Sequence, residues 1–260
     1  VADLYIDALA IALRTRPRLQ LSIELPPRNP RRRVANMIAR SRGIPSERMY
    51  VRQPVPDDPA DAADYATTWR ALDALGPPDE DQTLFLVRSG PVIDPMTPPL
   101  AATVHAVGWT GDDVGISHLE EQGGTQVFRL LDWAVPEDRG ATVVIVDDPA
   151  YVDVQAEKPA FAAVALRLAR TGALRVVASG KIPLAAQALP AEAEAQRTHL
   201  LSGPGACDAW LDVCAALSSG AVGAGELLLL RTVGDGRQGW LLLEAIQPQE
   251  LRMTSALVEE

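Results

Sequence analysis

Apolar positions recur along the chain in two periods, and their alternation predicts a layered α/β protein. Helical stripes, with apolar residues three or four apart, are predicted near 33–42, 62–75, 98–108, 125–135, 186–197 and 206–219. Short apolar runs, the pattern of strands buried on both faces, fall at 83–88, 141–147, 160–168, 173–179, 226–233 and 239–246, and Leu4-Tyr5-Ile6-Asp7-Ala8 reads as an opening strand. In the second helix the stripe is Tyr65, Trp69, Leu72 and Leu75, with Asp58 or Asp61 placed to cap it. Proline marks 24–31 and 53–62 as loops. Strands alternating with helices imply sheets covered on both faces. Twice the alternation breaks, where 141–147 is followed by 160–168 and 226–233 by 239–246 with no helix between.

The turn that opens the 125–135 helix is Gly123-Gly124, with Val127, Leu130, Leu131 and Ala134 forming the stripe behind it. A turn feeding a helix N-terminus suits a nucleophile, because the helix dipole lowers its pKa. Here glycine stands in that place.

Residues 119–134, Leu-Glu-Glu-Gln-Gly-Gly-Thr-Gln-Val-Phe-Arg-Leu-Leu-Asp-Trp-Ala, resemble the nucleophile segment of β-ketoacyl-ACP synthase III, a thiolase-fold condensing enzyme. Aligned on the following helix, Gly124 falls where that family carries its acylated cysteine. The closing pattern is also similar: Ser218-Ser219-Gly220-Ala221-Val222-Gly223-Ala224-Gly225-Glu226, a leucine run, Gly234-Asp235-Gly236, and a last run from Trp240 to Ile246. The family's Gly-Asn before that helix would fall at Ser202-Gly203, so Gly203 marks a second degenerate position. Ser41-Arg42-Gly43-Ile44 followed by Arg48 resembles a Thr-Gly-Ile segment with its arginine, and Thr83–Val87 followed by Pro98-Pro99-Leu100-Ala101 resembles the strand and helix ahead of the nucleophile turn.

The resemblance implies a thiolase-like layered αβαβα fold. It also implies an N-terminal half over 1–168 and a shortened C-terminal half over 169–260, and each half of that fold ends in a helix-free strand pair. Between Leu168 and Gly203 there is too little sequence for the usual helices, and the segment supplying the catalytic histidine lies in that gap. Candidate pocket residues are His118, Gln122, Gly123, Thr125, Ser202, Gly234 and Gly236.

Net charge is −10, which argues against nucleic acid as the main partner. Its distribution is uneven: residues 1–52 hold 11 Arg against 4 acids, or +7, leaving −17 for the rest. Arg28, Arg31, Arg32, Arg33, Arg40 and Arg42 form the dense basic segment. They are candidates for docking an acidic acyl carrier protein (ACP), or else a solvated helix face. No uninterrupted apolar run reaches a membrane-spanning length and the first residues do not read as a signal peptide, so a soluble cytoplasmic protein is expected. Cys207 and Cys214, on one helix, would stand about 10.5 Å apart. That is too far for a disulfide.

Gly234-x-Gly236-x-x-Gly239 joins two strand-like runs and therefore reads as a β-hairpin turn rather than a dinucleotide fingerprint. His105, His118 and His199 lack metal-site spacing, and His199 is only a weak candidate for a relocated base. Asp112-Asp113 and Asp147-Asp148 are acid pairs that read as turn and cap residues before Mg²⁺ ligands. No cofactor and no metal are implied.

Condensation in the resembled family needs Cys, His and Asn together. A chain lacking all three is expected to be a non-catalytic subunit, similar to a chain length factor. It would pair with an active ketosynthase and meet its partner through a hydrophobic face around residues 100–135. The alternatives are an acyltransferase or hydrolase using Thr125, Ser117 or a cysteine on thioesters, and a homodimeric acyl-ACP-binding scaffold.

Overall fold

In the computed structural model the described residues form thirteen strands and five α-helices, which follow the predicted order closely where they are buried and depart from it at the sheet edges. The structure describes residues 3–14, 18–53, 65–78, 81–90, 99–117, 119–135, 139–153, 155, 161–183, 197–234 and 237–258. The elements are β1 (Leu4–Arg14), β2 (Leu19–Leu21), α1 (Pro30–Ser41), β3 (Met49–Arg52), α2 (Ala66–Leu75), β4 (Thr83–Arg88), α3 (Pro99–Val107), β5 (Asp113–Ser117), α4 (Gly123–Ala134), β6 (Ala141–Asp147), β7 (Tyr151–Asp153), β8 (Ala162–Ala169), β9 (Leu174–Pro183), β10 (Thr198–Gly203), α5 (Asp208–Ser218), β11 (Leu227–Gly234), β12 (Arg237–Ala245) and β13 (Arg252–Val258).

One sheet runs in the order β10-β11-β12-β9-β1-β8-β6-β4-β5, with β13 added parallel to β1. Two repeats are visible in it. In the first, β4 and β6 are parallel, β8 is antiparallel to β6, and β1 is antiparallel to β8. In the second, β10 and β11 are parallel, β12 is antiparallel to β11, and β9 is antiparallel to β12. The helix-free pairs read in the sequence are thus β6 with β8 and β11 with β12. They meet at β1 and β9, which pair over Leu4–Ile6 and Leu174–Val176. Residue 168, after which the sequence reading divides the chain, is the last but one of β8.

Side-chain alternation sorts the strands between layers. Val143 and Ile145 of β6 face a core shared with Val127, Phe128 and Leu131 of α4, Trp210 and Val213 of α5, and Leu228, Leu230, Leu241 and Leu243 of the second repeat. Val144 and Val146 face the other way, onto Ala66, Ala71 and Leu72 of α2. The helices α4 and α5 therefore lie between the two half-sheets, with α2 and α3 outside the first. The outer face of the second repeat carries Leu227, Leu229 and Leu242 with Trp240. The helix expected there, 186–197, lies outside the described residues apart from Arg197, which immediately precedes β10.

Two differences from the sequence reading stand out. The opening strand extends to Arg14 because both its flanks are paired, by β8 and by β13. The strands β2, β3, β5, β7, β10 and β13 were not anticipated, since they are short or exposed and carry no continuous apolar run. A separate small sheet, β2-β3-β7, supports α1. Asn29 caps that helix by accepting from Arg31 N at 2.9 Å, with Pro30 as its first residue.

Candidate functional site

The helix α4 begins directly at Gly123, and both glycines of the turn are buried. A Cβ placed on Gly124 would stand 2.9 Å from the carbonyl carbon of Ala206 and closer still to its oxygen. No side chain fits there unless backbone moves. Trp210 Nε1 donates to Gly124 O at 2.8 Å, and its ring stacks on Phe128 with centroids 5.7 Å apart. The position aligned with a nucleophile is thus filled by the loop 204–207, which connects β10 to α5.

That loop is held from the other side by Asp147, at the end of β6. Asp147 Oδ2 accepts from Ala206 N at 2.7 Å, and Oδ1 accepts from Ser89 Oγ at 2.8 Å. Burial raises the Asp147 carboxyl to about 7, against the lowering effect of these two hydrogen bonds. Gly205 N donates to Asp208 Oδ2 at 2.6 Å, and a Cβ on Gly203 would come within 3.0 Å of Asp208 Cγ. Gly124 and Gly203 are therefore both in close contact with this loop or with the helix it leads into.

The remaining candidates separate. Thr125 is fully buried and shares a 3.0 Å hydrogen bond with Thr232 Oγ1. Beneath it Gly239 is required, since a Cβ would crowd Thr125 and lie 2.9 Å from Thr232 Oγ1. Gln126 Nε2 donates to Gly180 O. Gln122 ends a short 3₁₀ turn and is half-buried, Ser202 and Ser117 are exposed, and Gly234 closes β11. The strands β11 and β12 pair through Gly234 and Arg237, so the glycine motif is a hairpin as read. His118 and Gly236 lie outside the described residues.

The cysteines are free thiols, with Cys207 immediately before α5 and Cys214 within it. Burial raises Cys207 well above the usual thiol range and pushes Cys214 up to about 12, so both remain thiols at neutral pH. His199 Nε2 lies 2.8 Å from Glu226 Oε2, near the start of β10 and roughly 13 Å of strand away from Gly203. Asp147 and Asp148 diverge, since Asp148 meets Arg14 and Arg52, each at 3.2 Å. No group of His, Cys, Asp and Glu side chains among the described residues could hold a metal ion. Nor is any described helix long and apolar enough to cross a membrane.

No family model matches the chain, and no curated protein matches it in sequence. Solved structures do match it. ChlB3, described as an acyltransferase, superposes with a TM-score of 0.60 at 16% identity, over 95% of this chain and 99% of that one. An HMG-CoA synthase complexed with CoA gives 0.58 at 8%, over 96% and 84%. The 3-oxoacyl-(acyl carrier protein) synthase III of Pseudomonas aeruginosa gives 0.55 at 13%, over 94% and 98%. The chain has the thiolase-like fold. At these identities the likeness establishes the layered architecture and nothing finer.

Within that fold, the sequence reading located the glycine turn but missed what fills it. Ala206, Trp210, Asp147 and Ser89 form the seal. The available signal was Gly203-Pro204-Gly205-Ala206, small and rigid residues leading into a helix. Glycine at such a place marks close backbone approach, but the partner lies about eighty positions away in the sequence.

Proposed function

We propose that this chain is a non-catalytic thiolase-fold subunit, similar in role to a chain length factor. It pairs with an active ketosynthase, shapes that enzyme's acyl pocket, and presents a surface to acyl carrier protein. The observation that carries the reading is the sealed turn at Gly124. A cysteine there would collide with Ala206, so the nucleophile is excluded by packing as well as missing from the sequence. The alternative nucleophiles are also poorly placed. Thr125 has no described base among its hydrogen-bond partners, and the thiols, Cys207 buried and Cys214 half-buried, are held protonated by desolvation.

Two surfaces support the partner role. The strand β5 is an outer strand of the sheet, with Val114 exposed, and Trp133 of α4 is 75% exposed, and both belong to the segment 100–135 expected to meet the partner. Arg28, Arg33, Arg40 and Arg42 are exposed on and beside α1, while Arg31 and Arg32 are half-buried and Arg32 Nη1 donates to Leu25 O at 2.6 Å. The small sheet under α1 is tied to the main one by Arg52 and Asp148, next to the Asp147 that holds the seal. On this reading the exposed arginines of α1 are the surface that a carrier protein meets.

The test is the native mass of this chain co-expressed with a ketosynthase encoded beside its gene. A 1:1 heterodimer that extends acyl-ACP, where neither protein does so alone, is the expected result. A homodimer indifferent to the ketosynthase overturns the reading. A stable acyl adduct on this chain would favour the acyltransferase or hydrolase alternative.

A further inference from the structure

A cleft lies at the end of the first half-sheet opposite the Gly124 seal. The Gly124 seal sits by the C-terminal ends of β4 and β6, whereas this cleft opens beside Gln82 and Gly111, just ahead of β4 and β5. Its volume is about 490 Å³. Trp69, Leu72 and Asp73 of α2 form one wall, and the ends of α3 and of the loop before β4 supply Trp109 and Asp81.

Independent features of this cleft favour one kind of ligand. Both α2 and α3 end at its edge, each on a glycine with positive φ, Gly76 at 80° and Gly108 at 63°. The negative ends of two macrodipoles lie there, that of α2 already met by Arg167 through Gly76 O. Two carboxylates add to them: Asp73 and Asp81 are both exposed, and Thr110 Oγ1 donates to Asp81 Oδ1 at 3.0 Å. The two indoles supply electron-rich faces. Trp109 is pinned by its Nε1 bond to Gln82 O at 3.1 Å, and Gly111 is needed beside it, since a Cβ would lie 3.1 Å from the Gln82 carbonyl carbon. The Arg70 guanidinium stands 4.4 Å from the Trp69 ring centroid, so a ligand's charge at Trp69 shares that indole with Arg70.

No lysine, arginine or histidine is among the described residues lining the cleft. Arg167 approaches from behind, but its guanidinium is engaged by Gly76 O at 2.7 Å, by Thr142 and by Gln82. We propose that the cleft binds an organic ammonium ion, primary or quaternary, carried on an apolar body. Asp73 and Asp81 meet the charge, and Trp69, Trp109 and Leu72 meet the body through cation–π and apolar contact. None of these residues takes part in the Gly124 seal, so this inference stands or falls apart from the proposed function.

The probe is benzyltrimethylammonium, titrated into the full chain and followed by tryptophan fluorescence and calorimetry, with benzyl alcohol and phenylacetate as neutral and anionic counterparts. The expected result is saturable binding of the cation, undetectable for phenylacetate and weakened about fivefold or more in Asp73→Asn and in Trp69→Leu. Asp73 is exposed, so its variant reads the site even if the tryptophan variant fails to fold. Absence of saturation, equal binding of phenylacetate, or unchanged affinity in Asp73→Asn would overturn the proposal.

Discussion

The two half-sheets repeat one strand order, yet they differ at the edge beyond the parallel pair. In the first half, residues 89–122 separate β4 from α4 and contain both α3 and β5. In the second, residues 204–207 alone separate β10 from α5. Among the described residues, the strand and helix that occupy that place in the first half have no counterpart in the second. A connection this short must run straight from strand end to helix start, and it is drawn across Gly124. The short connection and the glycine at 124 therefore belong together, since a Cβ at that position would meet the Ala206 backbone. A pocket at this place needs a longer loop, and a tight loop needs glycine opposite it.

The halves also differ in what they bury. The first encloses a charged group, with Asp148 between Arg14 and Arg52, all with side chains at most 1% exposed, and Thr67 Oγ1 donating to the same carboxylate at 3.1 Å. The described core of the second half is built mainly of leucine. Asp148→Ala should therefore give the largest effect. Removing the carboxylate leaves two guanidiniums buried without it, and unfolding by urea should show a loss of about 3–5 kcal/mol.

Next in size is the pH dependence at the join between the halves. Burial raises the Asp147 carboxyl from the ordinary carboxylate value to about 7. The folded chain therefore keeps a proton that the unfolded chain releases above the ordinary carboxylate range. On this account stability falls as pH rises from about 4 to 7 and is level above that, by an amount on the order of 4 kcal/mol. Asp147→Asn should flatten the slope in a urea series measured across that range. A slope unchanged by the substitution would separate Asp147 from the pH response.

The smallest expected effect tests the seal itself. Gly124→Ala adds one methyl against the Ala206 backbone and should cost about 1–3 kcal/mol in the urea transition. Gly90→Ala, at a site with nothing within 4 Å of the added carbon, should stay within about 0.5 kcal/mol. Equal effects at the two positions would mean that the loop yields easily and that the turn is not closed.

Much of the fold was legible because buried strands and amphipathic helices write their periodicity into the chain. The runs at 83–88 and 141–147 match β4 and β6 residue for residue, and the helix read at 125–135 is α4. Edge strands leave a weaker trace. The strand β5 is almost wholly exposed, and β10 has Leu200 at 56% exposure, so neither shows an uninterrupted buried run. They are strands because a neighbour's backbone pairs with them, which local sequence does not encode. The candidate site divides in the same way. Gly123, Gly124 and Gly203 could be found by resemblance, while Thr125 pairing with Thr232, and Asp147 with Ala206, join residues far apart in the chain.

By itself the sequence determined the alternation of strands and helices, the two helix-free strand pairs, the glycine turn at the head of α4 and the basic segment around α1. All of these follow from side-chain periodicity, backbone freedom at glycine and charge, which act over a few residues. Only the tertiary structure decided that Gly124 is closed by Ala206, that Asp147 is buried beneath the closing loop, and that Trp69, Trp109, Asp73 and Asp81 share one cleft. Each of those depends on close packing between distant segments, and an interior without spare volume fixes such contacts only once the whole sheet is assembled.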